Sequence, residues 1–194
     1  MFRRSILLAL GMFLIGALMS CSSNSGADKS SAKSAATKTD NSSPSTSANP
    51  VIQFTAQDIQ GQTQSSSQWI GKRPVVLNFW GTWCPPCRRE IPDIVKLYDQ
   101  YHSKGVEIIG LAVKDDPQDV VTFSHDKGMK WVMLRATEQV LTDYTVVNGI
   151  PTTIFLDKNG NEVTRFIGNR TYEDFKPAFD AILNGHSETA PATM

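Results

Sequence analysis

The sequence predicts an α/β domain, a central mixed sheet flanked by helices, on three observations. Apolar runs of strand length alternate with segments of helical periodicity. The first long run, Val75 to Trp80, is apolar enough for a buried strand and leads directly into Cys84-Pro85-Pro86-Cys87. Near the end, two strand patterns flank Asp157-Lys158-Asn159-Gly160, residues suited to a hairpin turn.

The 194 residues are not all domain. Arg3 and Arg4 precede an apolar stretch, Ile6 to Met19, that is shorter than the roughly 20 residues a spanning helix needs. It has no polar face, which argues against a buried amphipathic helix and for an export signal over residues 1–20. Leu18-Met19-Ser20-Cys21 resembles the lipobox of bacterial lipoproteins, in which the cysteine is acylated. That resemblance implies a lipid anchor on Cys21, several acyl chains on one residue giving the stable anchoring that one chain does not. The other reading is a chance cysteine at the end of an ordinary signal peptide. Residues 21–50 follow as a tether built almost wholly from Ser, Ala, Thr, Asn, Lys and Pro, with no large apolar side chain. As a flexible coil it holds the domain on the order of 30 Å from a membrane surface. Residues 51–185 form the domain, and residues 186–194 a flexible polar tail.

Within the domain, Phe54 to Gln64 reads as an N-terminal accessory hairpin turning at Gly61. After the cysteines, Ile91, Ile94, Val95 and Tyr98 recur at helical spacing, with the polar residues between them facing out. Pro85 and Pro86 suit a first helical turn, whereas Pro92 removes an interior N–H and is expected to kink the helix. Val106 to Val113 is a second buried strand, and Asp115-Asp116-Pro117 opens a helix to about Asp126. Trp131 to Leu134 and Thr137 to Tyr144 read as a short strand and a short helix, an inserted strand–helix unit. Thr152 to Leu156 and Glu162 to Ile167 form the closing hairpin, and Thr171 to Leu183 the last helix, with Phe175, Phe179 and Ile182 on one face. Trp69, Trp80 and Trp131 are expected in the core.

From Pro50 onward there are 14 Lys and Arg against 17 Asp and Glu, net −3. Without excess positive charge the domain has no electrostatic footprint for nucleic acid.

Cysteines at two-residue spacing before a helix read as a redox dithiol. One sulfur attacks a partner disulfide, and the other is close enough to resolve the mixed disulfide. A sulfur at a helix N-terminus is stabilised as thiolate. The same pair is half of a zinc site, which needs two further ligands. Cys21 is the only other cysteine, and His102, His125 and His186 show no ligand spacing, so no metal site is expected.

Val75 to Cys87 resembles the active-site strand and helix start of the thioredoxin superfamily, and Gly149-Ile150-Pro151-Thr152 its second signature. More narrowly, the chain from about Phe54 to Leu183 resembles the TlpA/ResA group of membrane-anchored thiol:disulfide oxidoreductases, which includes CcmG-type proteins. The resemblance implies a thioredoxin-like fold and a Cys84/Cys87 redox disulfide. In it Cys84 is the exposed nucleophile, Cys87 resolves, and Pro151 is a cis proline facing them. Ile150 would pair through its backbone with the substrate, while Trp83 and Pro86 flank the cysteines and Trp83 shields the sulfurs. Glu90 corresponds to an acidic residue that tunes the sulfurs or relays a proton. Read alone, Glu90 is a solvated first-turn residue that favours the helix dipole. Asn78 replaces the buried aspartate of classical thioredoxins and cannot titrate. Its other reading is a buried amide satisfied by backbone or water.

Together these features imply an extracytoplasmic reductase of protein disulfides, with no cofactor, acting as a monomer. The resemblance further implies a CcdA- or DsbD-type transmembrane electron donor and, as target, the Cys-x-x-Cys-His disulfide of an apocytochrome c in cytochrome c maturation. Two other classes share parts of the pattern: a peroxiredoxin-like thiol peroxidase, and a non-enzymatic module binding metal through Cys84 and Cys87.

Overall fold

A computed structural model describes residues 51–185. The export signal, Cys21, the tether and the tail of residues 186–194 lie outside the described residues. The elements run β1 (Thr55–Gln57), β2 (Thr63–Ser65), β3 (Val75–Trp80), α1 (Pro85–Tyr101), β4 (Glu107–Ala112) and α2 (Pro117–Lys127). They continue with β5 (Val132–Arg135), α3 (Glu138–Asp143), β6 (Thr152–Leu156), β7 (Glu162–Ile167) and α4 (Tyr172–Asn184).

Five strands form one sheet in the order β5-β4-β3-β6-β7, and β1 and β2 form a separate antiparallel pair. β3 pairs in parallel with β4 and antiparallel with β6, which makes the sheet mixed. β3, β4 and β6 are buried along their whole length, as central strands covered on both faces must be, whereas the edge strand β7 is half-exposed. Alternation along β3 then sorts its side chains. Val76 and Trp80 join a core with α1, α2 and α4, and Val75, Leu77 and Phe79 join a second core with Phe54, Ala56, Val140 and Tyr144. Three helices therefore cover one face, and the N-terminal hairpin with α3 covers the other.

Local chemistry sets the ends of these elements. Cys84 caps α1, Asp116 caps α2 and Thr137 caps α3. Thr171 and Asp174 form a reciprocal capping box at α4. In the β6–β7 turn, Asp157 Oδ1 accepts the N–H groups of Asn159 and Asn161 at 2.8 and 2.9 Å. Gly160 closes this turn at φ 87°, and a Cβ there would lie 2.6 Å from Val51 Cγ1, so both conformation and packing require glycine.

Three expectations are corrected. Glu90 is not solvated. It is 1 % exposed on the inner face of α1, because it sits with Cys87, Ile91 and Ile94 on the stripe that meets the sheet. Trp69 is half-buried at the margin of the second core, unlike Trp80 and Trp131, which are buried in the first core with the inner face of α1. Cys84 is not exposed. It is 3 % accessible, its sulfur being joined to Cys87 and turned toward Ile150.

Candidate active site

The site forms where β3 ends and α1 begins. Cys84 and Cys87 are joined as a disulfide with Cα atoms 5.3 Å apart. Pro85 and Pro86 occupy the first turn of α1, where their missing N–H groups cost no helical hydrogen bond. Cys84 Sγ accepts the N–H of Cys87 at 3.3 Å, so the sulfur acts as the helix cap and lies at the positive end of the helix dipole.

The second sheet connection supplies the opposite wall. The Ile150–Pro151 peptide bond is cis, and the Ile150 carbonyl oxygen lies 3.8 Å from Cys84 Sγ. Pro151 is buried and Ile150 half-buried, immediately before β6. Trp83 is 56 % exposed, and its indole N–H donates to the Val113 carbonyl at 3.1 Å. Beside it lies a groove of about 530 Å³ whose walls include Trp83, Val113, Leu141, Val147 and Ile150. Val147 is 74 % exposed, so the dithiol is bordered by apolar surface in contact with water.

Beneath the dithiol is a buried polar group of three side chains. Asn78 Nδ2 donates to Glu90 Oε1 at 3.0 Å and to Thr153 Oγ1 at 2.9 Å. The backbone N–H of Arg170 donates to Glu90 Oε2 at 3.3 Å. Burial pushes the Glu90 carboxyl up to about 7, and the hydrogen bonds from Asn78 and Arg170 oppose the shift without cancelling it. Glu90 stands one helical turn after Cys87, and both are buried. A carboxyl that changes charge near neutral pH can exchange a proton in the pH range where thiols react. The Asn78 amide N–H₂ donates to side chains rather than to backbone, while its buried Oδ1 has no partner among the described residues.

Of the residues singled out in the sequence, Trp83, Cys84, Pro86, Cys87, Ile150 and Pro151 come together where α1 begins beside the start of β6, with Cys84, Cys87 and Pro151 buried and Glu90 buried one turn further along α1. Thr153 and Arg170 complete the buried group and were not anticipated. Thr153 faces Asn78 because β3 and β6 pair with those two residues opposite each other, a register no local pattern reveals. Among the described residues, no cluster of three or more His, Cys, Asp or Glu is placed to hold a metal ion.

Residues 48–163, more than half of the chain, match the profile of the AhpC/TSA family. The chain belongs to this family. Within it, the chain is 37 % identical over 130 residues to the thiol-disulfide oxidoreductase ResA of Geobacillus thermodenitrificans, covering 66 % of this chain and 74 % of that protein. Among solved structures, it superposes on a thiol:disulfide interchange protein of the thioredoxin family from Chlorobium tepidum with a TM-score of 0.63. That match has 30 % identity and covers 69 % of this chain and 95 % of the other. StoA from Bacillus subtilis superposes with a TM-score of 0.55 at 25 % identity, covering 66 % and 96 %. The fold is thioredoxin-like, and the chain is a thiol:disulfide oxidoreductase of this family.

Proposed function

We propose that this member of the family reduces protein disulfides outside the cytoplasm while held at a membrane through Cys21. The observation that carries the direction is the buried Glu90 carboxyl on the helix that bears the dithiol. Strong disulfide donors owe their oxidising power to a stabilised reduced form, in which a thiolate is favoured. A carboxylate forming near the sulfurs disfavours that thiolate, and a carboxyl that still holds its proton supplies it to a leaving sulfur. The first effect favours giving electrons over taking them, and the second speeds proton transfer in either direction.

In the reducing direction, Cys84 thiolate attacks a substrate sulfur, forming a mixed disulfide and releasing the substrate's other sulfur as thiolate. Cys87 then attacks Cys84, closes the intramolecular disulfide and frees the second substrate thiolate. Each departing thiolate takes up a proton, and Glu90 is placed to exchange one with the Cys87 side. The substrate chain lies along Ile150 and Pro151 in extended form, with Trp83 and Pro86 as its flanking contacts. Recharging the oxidised pair requires two electrons from a donor, for which the resemblance to the TlpA/ResA group favours a CcdA- or DsbD-type membrane protein. The same resemblance favours the Cys-x-x-Cys-His disulfide of an apocytochrome c as target. No helix among the described residues is long and apolar enough to cross a membrane.

The test is the reduction potential of Cys84/Cys87 in the full chain, equilibrated against glutathione. A value well below about −200 mV supports the reductase, and one near roughly −120 mV makes the protein a disulfide donor instead. A parallel assay for peroxide consumption separates both from a thiol peroxidase.

A further inference from the structure

The two residues before Cys84, Thr82 and Trp83, are both held by one short segment, residues 113–115 between β4 and α2. Thr82 places both its donors on Asp115: the backbone N–H meets Oδ2 at 2.6 Å and the hydroxyl meets Oδ1 at 2.8 Å. Trp83 donates its indole N–H to the Val113 carbonyl at 3.1 Å. That indole lies so close over Gly81 that a Cβ there would sit 2.8 Å from Trp83 Nε1. The segment itself is anchored, since Val113 donates its N–H to the Trp80 carbonyl at 2.9 Å and so prolongs the β3–β4 pairing. Lys114 then adopts a left-handed φ of 49°, unusual for a residue with a side chain, at the bend that leads to Asp115. Asp115 Oδ1 also accepts the N–H of Asp116, which caps α2.

We propose that Asp115 is a positioning residue for the dithiol: through Thr82 it holds the turn that carries Trp83 and Cys84, and so sets the wall against which protein substrates dock. The inference rests on the reductase reading for its substrate but not for its geometry. Two charge-assisted hydrogen bonds to the two oxygens of one carboxylate fix orientation as well as distance, which a single bond does not. The turn they hold ends at the sulfur that caps α1, so a shift at Thr82 is passed on to Trp83 and Cys84 with no flexible residue between them.

The experiment compares D115A, T82V and T82S with the wild-type full chain, with insulin as the probe disulfide and dithiothreitol as the recycling reductant. D115A is expected to lose about tenfold in kcat/KM, chiefly through KM, because misplacing a contact surface by a fraction of an ångström weakens productive docking. T82V keeps the N–H and loses the hydroxyl, so it falls part of the way. T82S keeps both donors and returns the wild-type value. The proposal is overturned if D115A and T82V stay within about twofold of wild type, or if T82S falls as far as T82V, which would assign the effect to the methyl group. Should D115A fail to fold, T82V against T82S decides alone. If the wild-type chain does not reduce insulin, the reductase reading fails, and alkylation of Cys84 by iodoacetamide in the reduced chains decides the positioning role. A change of about threefold in D115A and T82V but not in T82S then supports it, and equal rates in all four chains overturn it.

Discussion

Replacing Glu90 by Gln removes one ionisation from a buried position and leaves the shape of the side chain nearly intact. The carboxyl has an ordinary value of 4.5 and is pushed up to about 7 by burial in the folded chain. Between those values the unfolded chain has given up the proton and the folded chain has kept it. The folded state therefore binds more protons, and stability falls as pH rises through this window. The contribution is fully present below about pH 4.5 and is lost above about pH 7. From the width of the window it amounts to about 3 kcal/mol. The Gln amide also sets an N–H group against a donor, either Arg170 N–H or Asn78 Nδ2, at a cost of about 1 kcal/mol that does not depend on pH. E90Q is thus expected to be less stable than wild type by about 1 kcal/mol near pH 4 and more stable by about 2 kcal/mol near pH 8. Urea denaturation of the oxidised full-length chains across that range, with unchanged m-values, measures the difference. A gap that stays constant with pH to within about 0.5 kcal/mol would refute the reasoning and show that the Glu90 carboxyl titrates alike in the folded and unfolded chains.

Other perturbations have equally definite outcomes. C87S is expected to trap a mixed disulfide through Cys84, detected by mass spectrometry as the chain plus its partner, whereas C84S traps none. G110A should destabilise the domain by about 1–3 kcal/mol in denaturant titrations, since a Cβ on this strand would lie 2.5 Å from Met133 Sδ and 3.1 Å from the indole nitrogens of Trp80 and Trp131. T171A removes one half of the α4 capping box and should cost about 1 kcal/mol by the same measurement, without altering the dithiol's reduction potential.

Much of the fold was legible because its signals are local. Val75–Trp80, Thr152–Leu156 and Glu162–Ile167 are strands within the limits read from the sequence, and the hairpin turn and the opening of α2 fall where Asp157-Lys158-Asn159-Gly160 and Asp116-Pro117 place them. Each depends on an apolar run or on turn and cap residues acting on their nearest neighbours. Helical spacing also found the apolar stripe of α1. Read alone as a solvated first-turn residue, Glu90 was misplaced, because its charge and its position near a helix start contain no record of what the opposing sheet offers it.

The sequence by itself determined that two cysteines stand at the junction of a buried strand and a helix, because Cys84-Pro85-Pro86-Cys87 brings its parts together within four residues. Tertiary structure alone decided what surrounds them. Asn78 meets Glu90 across 12 positions and Thr153 across 75, and Thr82 meets Asp115 across 33. Such contacts depend on which strands pair, in what register, and which helix face turns inward. Those choices are made by burying the whole apolar surface at once, so the buried carboxyl and the clasp on the active-site turn emerge only when the sheet and its two covering layers are assembled.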